Sequence, residues 1–310
     1  MAKVIALGEV LIDFTPCGRS DRGRLLYECN PGGAPANMLS CLAQFGHECL
    51  MIGCVGRDAF GEEIAQAIAG AGVDCRYLAR SAFAPTTLAV VSLNAEGDRS
   101  FSFYRDHCAD VSIAPEDITE EMLEGAALVH VGSLSLTHEP VRSATMKLLG
   151  LAKEKGIAVS YDPNYRPLLW KNEEQARTGM LSILPMADIV KVADEEAVFL
   201  TGLDDLDAAA RKLLADHPNI RVLFLTRGAE GSSYYLPSGE CGTAAGLTGA
   251  QIVDTTGAGD YFFGGAVSKV LEDGCRSAVS AQTAEDACRR GNECGYRVAQ
   301  VRGALGVKIR

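Results

Sequence analysis

Asp254-Thr255-Thr256-Gly257-Ala258-Gly259-Asp260 runs directly into Tyr261-Phe262-Phe263-Gly264-Gly265 and then into Ala266-Val267-Ser268-Lys269-Val270-Leu271. A loop of small polar residues thus becomes a helix, with Gly257, Ala258 and Gly259 at its N-terminus. Unpaired N–H groups and the positive end of the helix dipole meet there, and glycines let an oxyanion approach the main chain without a Cβ in the way. Phosphate suits such a hole. Asp260 does not, because a carboxylate repels an anion. As a base beside the hole it would take the proton of a substrate hydroxyl while the loop stabilises charge on a transferring phosphoryl group. Read alone, Gly-Ala-Gly-Asp fits a capped helix start equally well.

The whole chain bounds these readings. It has 310 residues, 47% hydrophobic and 22% charged, which suits one α/β domain over 1–310 with a large core. A net charge of -11, with no basic run, argues against a nucleic-acid surface, so any anionic ligand must be met by local groups. Met1-Ala2-Lys3-Val4-Ile5-Ala6-Leu7 enters a buried-strand pattern at once, with no apolar leader and no stretch of membrane-spanning length. The expectation is a cytoplasmic protein with no membrane partner. None of the eleven cysteines is spaced C-x-x-C, and Cys41 and Cys54 fall in apolar segments, which favours buried thiols over zinc or disulfides.

Further candidates stand where strands end. Gly8-Glu9-Val10-Leu11-Ile12-Asp13-Phe14 places Asp13 where an α/β sheet opens its crevice. Asn30-Pro31-Gly32-Gly33-Ala34-Pro35-Ala36-Asn37 then opens a helix expected over 38–45, with Pro35 near its first turn. Asp13, Gly32, Gly33 and Asn37 form a hydrogen-bonding set for a polyhydroxyl ligand. Short apolar runs at 50–55, 128–131, 158–161, 189–192 and 222–225, mostly separated by helical segments, predict a mainly parallel sheet with helices on both faces. Residues 88–93 and 100–104 alternate around a turn at 95–98, a hairpin signal. Asp162-Pro163-Asn164-Tyr165-Arg166 and Thr226-Arg227-Gly228-Ala229-Glu230-Gly231 follow two of the runs, and Arg166 is suited to neutralising transition-state charge. There is no G-x-x-x-x-G-K-[ST] and no H-E-x-x-H, so neither a P-loop nor a zincin is indicated.

D-T-T-G-A-G-D with Gly264-Gly265 behind it, and N-P-G-G-A-P-A-N after G-E-V-L-I-D, resemble the C- and N-terminal signatures of the PfkB (ribokinase-like) sugar kinases, most like the fructokinase branch. The resemblance covers essentially the whole chain. It implies a ribokinase-like fold and phosphorylation of a sugar primary hydroxyl, fructose to fructose 6-phosphate, with ATP, Mg²⁺ and a K⁺ site touched by Asp254. It implies a small β-lid from segments about 15–30 and 86–106 over the sugar, with Tyr104 and Arg105 as its offered sugar contacts. Asn164 and Arg166 would lie near sugar and transferred phosphate. Lys191, Thr226, Gly228 and Gly231 would serve ATP, Asn292 the adenine pocket, and Glu196 the water shell of Mg²⁺. Ala193 departs from the family's Asn-x-x-Glu at this place. Exposed lid edges invite a homodimer. Asp162-Pro163-Asn164-Tyr165-Arg166-Pro167 followed by Leu169-Trp170 also resembles 2-keto-3-deoxygluconate kinases. Ribokinase, nucleoside kinase and a sugar sensor without transfer stay open as alternatives.

Overall fold

The computed structural model describes residues 1–93, 99–274 and 278–309. Strand β1 (Lys3–Leu7) leads out into β2 (Leu11–Arg19) and β3 (Leu25–Gly32), and the chain returns through α1 (Ala34–Gln44), β4 (Glu48–Gly56), α2 (Ala59–Gly70) and β5 (Val73–Ser81). A second excursion forms β6 (Thr87–Leu93) and β7 (Arg99–Tyr104). Alternation resumes with β8 (Ala126–Gly132), α3 (Val141–Glu154), β9 (Ala158–Asp162), α4 (Glu173–Leu181), β10 (Ile189–Ala193), α5 (Asp194–Thr201), α6 (Leu206–Asp216) and β11 (Val222–Thr226). Strands β12 (Gly231–Tyr235) and β13 (Cys241–Ala245) precede the closing helices α7 (Ala258–Asp273) and α8 (Ala281–Val298).

Nine strands form one sheet in the order β13-β12-β11-β10-β9-β8-β1-β4-β5. It is parallel from β5 to β11 and antiparallel at β12 and β13. The run Lys3-Val4-Ile5-Ala6-Leu7 shows why both faces are covered: Ile5 and Leu7 join a core built with α3, α4, α5 and α6, while Val4 and Ala6 join one built with α1, α2, α7 and α8. A strand packed on both sides needs no polar alternation, which is why its sequence reads as continuously apolar. The expected fold class is therefore the observed one. Helix α1 begins at Ala34, four residues before the expected 38, because Pro35 sits in the first turn, where a missing N–H costs nothing. The antiparallel β12–β13 pair was not anticipated.

The remaining strands form a four-stranded sheet, β3-β2-β6-β7, from the two excursions. The turn expected at 95–98 lies outside the described residues. Against the main sheet, α7 lies between α1 and α8, and glycines make room for it: a Cβ on Gly264 would stand 2.7 Å from Cys41 Cβ and 2.9 Å from Met38 O, and one on Gly265 would stand 2.7 Å from Cys294 Sγ. All ten described cysteines are unpaired thiols.

Gly264→Ala should lower stability by roughly 1–3 kcal/mol through overpacking. Gly150→Ala in α3, where an added Cβ meets nothing within 4 Å, should gain up to ~1 kcal/mol from helix propensity. Urea midpoints of the two variants check the contrast, and equal shifts would refute the close α1–α7 approach.

Candidate active site

The loops after β1, β8, β9, β10 and β11 open at one edge of the sheet, where the N-terminus of α7 faces them. Gly257 begins that helix at φ 76°, and a Cβ there would collide with Ala304. Ala258 N donates to Thr255 O at 3.1 Å, and the first intrahelical bond runs from Tyr261 N to Gly257 O. The N–H groups of Gly259 and Asp260 are thus the open donors of the turn. Lys191 reinforces them: a Cβ on Gly259 would lie 3.4 Å from its Nζ. Burial alone would discharge this lysine, but Asp162 Oδ1 at 3.1 Å and Glu196 Oε2 at 3.7 Å hold its pKa above the ordinary value.

Asp260 stands half-buried in the first turn of α7, beside several charged groups. Burial raises its pKa, while the hydrogen bond from Asn37 and the positive charges of Arg166 and Lys191 oppose the rise. Asn37 Nδ2 donates to Asp260 Oδ2 at 2.8 Å. A carboxylate only accepts, so the amide must face it with its nitrogen. That leaves Asn37 Oδ1 buried with no hydrogen-bond partner among the described residues, an acceptor open to a ligand donor beside Asp260. Asp13 is pushed up to about 6 by burial, with Arg166 opposing and Asp254 and Asp260 adding to the shift. Glu9 is pushed up to about 7, again by burial, and its Oε1 accepts from Ala34 N at 2.9 Å at the start of α1. Gly33, at φ 130°, passes so close to Glu9 O that any Cβ would collide with it.

Two clefts flank the start of α7. One, of about 440 Å³, is lined by Asp13, Gly33, Asn37, Asn164, Arg166 and Asp260 among others. The second, of about 460 Å³, is lined by Thr226, Gly228, Gly231, Phe262, Asn292 and Tyr296 among others, and more of its surface is apolar. Thr255 and Gly259 belong to both. The helix start is the wall through which a group would pass from one cleft to the other.

Residues 1–308 match the pfkB family carbohydrate kinases. The chain belongs to the PfkB family. It is 39% identical to fructokinase-1 of Oryza sativa subsp. japonica over 97% of this chain and 93% of that protein. In fold it is similar to a fructokinase double mutant from Vibrio cholerae O395 in fructose-, ADP- and potassium-bound form, with TM-score 0.86 and 30% identity over 99% and 95% of the two chains. It is also similar to a putative ribokinase II of E. coli in complex with ATP and Mg²⁺, with TM-score 0.84 and 26% identity over 99% and 96%.

On this PfkB fold most of the predicted site residues converge. Lys191, Glu196, Gly257, Gly259 and Asp260 line the first cleft, and Ala258 the second. Gly32 lies behind the first cleft with Asp13, its would-be Cβ 3.0 Å from Asp13 Oδ2. Asp254 Oδ1 accepts from Thr256 N at 3.0 Å and Oγ1 at 2.7 Å, while Oδ2 accepts from Gly303 N at 3.3 Å, so this carboxylate braces the loop. Gly231 is a forced corner at φ 104°, where a Cβ would strike Ala244 O. Asn292 Nδ2 donates to Ala244 O and Ala245 O at 3.0 and 3.1 Å, tying α8 to β13.

Two expectations need correction. Tyr104 is 63% exposed and does not line the first cleft; Phe103, its neighbour on the opposite face of β7, does. Period-two alternation separates the pair, and it was the available signal. Arg105 is 3% exposed and faces away, bound to Asp110 Oδ2, Thr137 Oγ1 and Leu134 O. Leu134, Thr255 and the 246–252 rim of the second cleft were also missed, because small or apolar residues in irregular segments carry no spacing signal.

Glu9 generates a test. Between about pH 4.5, its ordinary value, and about pH 7 the folded chain keeps this proton while the unfolded chain loses it. Its contribution to stability is therefore present at the acid end and lost as pH rises. Glu9→Gln still offers Ala34 N–H an acceptor but cannot ionise. Its stability relative to the parent should rise across this window by up to ~1.4 kcal/mol per pH unit, read from urea midpoints; a constant difference would exclude the raised pKa.

Proposed function

We propose that this chain transfers the γ-phosphoryl group of ATP to the primary hydroxyl of fructose, giving fructose 6-phosphate and ADP. One observation carries the reading: a polar cleft and a more apolar one meet at the open N–H groups of α7, with Asp260 on the polar side. Asp13 and Asn37 Oδ1 accept hydroxyl donors of the sugar, and Gly33 lets it approach the main chain. Asp260 takes the proton from the hydroxyl and orients it in line. The N–H groups of Gly259 and Asp260, with Lys191 and Arg166, receive charge on the transferring group.

The second cleft fits a nucleotide, with apolar surface for a base and glycines where phosphates approach the main chain. ATP supplies the phosphoryl group and Mg²⁺ neutralises part of its charge. Among the described residues no three His, Cys, Asp or Glu side chains form a metal cage, so the ion would ride on phosphates and water, with Glu196 nearest in role. Potassium, named with fructose and ADP in the Vibrio cholerae fructokinase structure, would sit at the loop braced by Asp254. The cations lining the sugar-side cleft are Arg166 and the already paired Lys191, against Glu9, Asp13, Glu195, Glu196 and Asp260. That balance favours a neutral sugar over 2-keto-3-deoxygluconate.

The four-stranded sheet acts as a lid that excludes water, with Phe103 over the sugar. Its edge strand β3 leaves Leu25 and Leu26 exposed, and a homodimer contact there is part of the proposal. Unpaired thiols support a cytoplasmic location. Among the described residues no helix is long and apolar enough to cross a membrane.

ADP release with Mg²⁺·ATP and K⁺ should depend on fructose in a panel that includes 2-keto-3-deoxygluconate, ribose and adenosine. Asp260→Asn should lower kcat by ~10²–10⁴ with sugar affinity little changed. Turnover retained in the variant would remove the base, and release with the acid sugar alone would change the substrate.

A further inference from the structure

The foot of the β6–β7 hairpin is held by groups that take no part in the chemistry above. Thr87 opens β6, Arg105 follows the last residue of β7, and Leu88 pairs with Tyr104, so Thr87 and Arg105 stand side by side. Both bind one carboxylate. Asp110 Oδ1 accepts from Thr87 Oγ1 at 2.5 Å, and Oδ2 accepts from Arg105 Nε at 2.7 Å. The rest of the guanidinium reaches the main body, with Nη1 donating to Thr137 Oγ1 at 2.7 Å and Nη2 to Leu134 O at 3.1 Å. Asp110 and Arg105 are 1% and 3% exposed.

This cluster touches the sugar-side cleft at two removes. Leu134, whose carbonyl Arg105 holds, lines that cleft just beyond β8, and Phe103, two residues before Arg105, lines it from the hairpin. A buried ion pair adds little net stability, because desolvation offsets its attraction, but its hydrogen bonds fix direction. Apolar side chains would fill the same space and leave the hairpin free to change its angle. A carboxylate gripping both posts of the hairpin, through an arginine anchored on the cleft wall, does not allow that.

We infer that Asp110 and Arg105, with Thr87, are positioning residues for the sugar: they set the angle at which the hairpin leaves the main body, and so the place of Phe103 over the substrate. The inference rests on the sugar-kinase reading and deepens it.

Asp110→Asn alone would leave a buried guanidinium without its charge partner and endanger folding. The test therefore uses Thr87→Val, and separately the apolar pair Arg105→Met with Asp110→Leu, with folding checked by circular dichroism. Amide exchange over 99–104 reads the hairpin, and initial rates with fructose and ATP read the site. The expected result is faster exchange, a fructose KM raised roughly 10-fold or more, and kcat and the ATP KM within about 3-fold of the parent. Folded variants with the parental fructose KM, or with kcat and both KM values changed together, would overturn the positioning role. A parent chain that phosphorylates no sugar would instead overturn the kinase reading and the inference with it, and that outcome is visible before any variant is made.

Discussion

The hydrogen bond from Asn37 to Asp260 joins residues 223 positions apart, and the site depends on it. It exists only because α1 and α7 cross closely enough to bring the first turn of each to one point. Gly264 supplies that closeness, and polar contacts lock it. Ser40 Oγ and Tyr261 OH lie 3.0 Å apart, Gln44 Nε2 donates to Val307 O at 2.8 Å, and Ile309 N donates to Gln44 Oε1 at 2.9 Å. The segment after α8 thus straps the two helices, through Gln44 of α1 and through Tyr261, the residue after Asp260, whose OH donates to Val307 O at 3.3 Å. Ala304, in the same segment, closes against Gly257. A side chain in the first turn of a helix is held only as well as the helix itself, so contacts without any chemistry fix the direction of the Asp260 carboxylate.

The second constraint is electrostatic. Glu9, Asp13 and Asp260 are brought together with Arg166 and a lysine already shared between Asp162 and Glu196, and burial raises the pKa of all three carboxylates. Partly withdrawn from water, a carboxylate loses solvation that hydrogen bonds must replace. A polyol relieves the cost, since every hydroxyl brings a donor to an unpaired oxygen. The cations that restrain the rise are Arg105 for Glu9, Arg166 for Asp13, and Arg166 with Lys191 for Asp260, and Arg166 and Lys191 line the same cleft as the carboxylates they restrain.

How much of this was legible follows from which residues carry backbone requirements. Gly33 and Gly257 could be read because only glycine permits those approaches, and they drew Asn37 and Asp260 with them. The parallel sheet could be read because strands covered on both faces have no polar alternation. Arg105 could not. Its type suited a phosphate or an acid sugar equally well, and its true partner, Asp110, stands in a short turn whose sequence announces nothing. Alternation showed that Phe103 and Tyr104 face opposite ways, but which of them meets the cleft depends on the register of β7, which one residue of slip inverts. The second cleft was legible at Thr226, Gly228, Gly231, Ala258, Gly259 and Asn292, but not around its rim. Its rim is irregular chain, placed by β12 and β13 rather than by any motif.

Ala193 shows how a departure from a family pattern is absorbed. An Asn at the start of α5 would cap the helix with its side chain; alanine cannot. Glu196 acts from the other side, its Oε2 accepting from Ala193 N at 2.7 Å and its Oε1 from Tyr165 N at 2.8 Å. One buried carboxylate thereby satisfies the helix start, holds the loop that carries Asn164 and Arg166, and keeps Lys191 charged beside Gly259. The missing amide costs the helix a side-chain cap, and Glu196 still closes the helix start. The groups that a non-catalytic sugar sensor would be free to discard, Asp260, Lys191 and the open N–H groups of α7, are the ones this arrangement continues to hold in place.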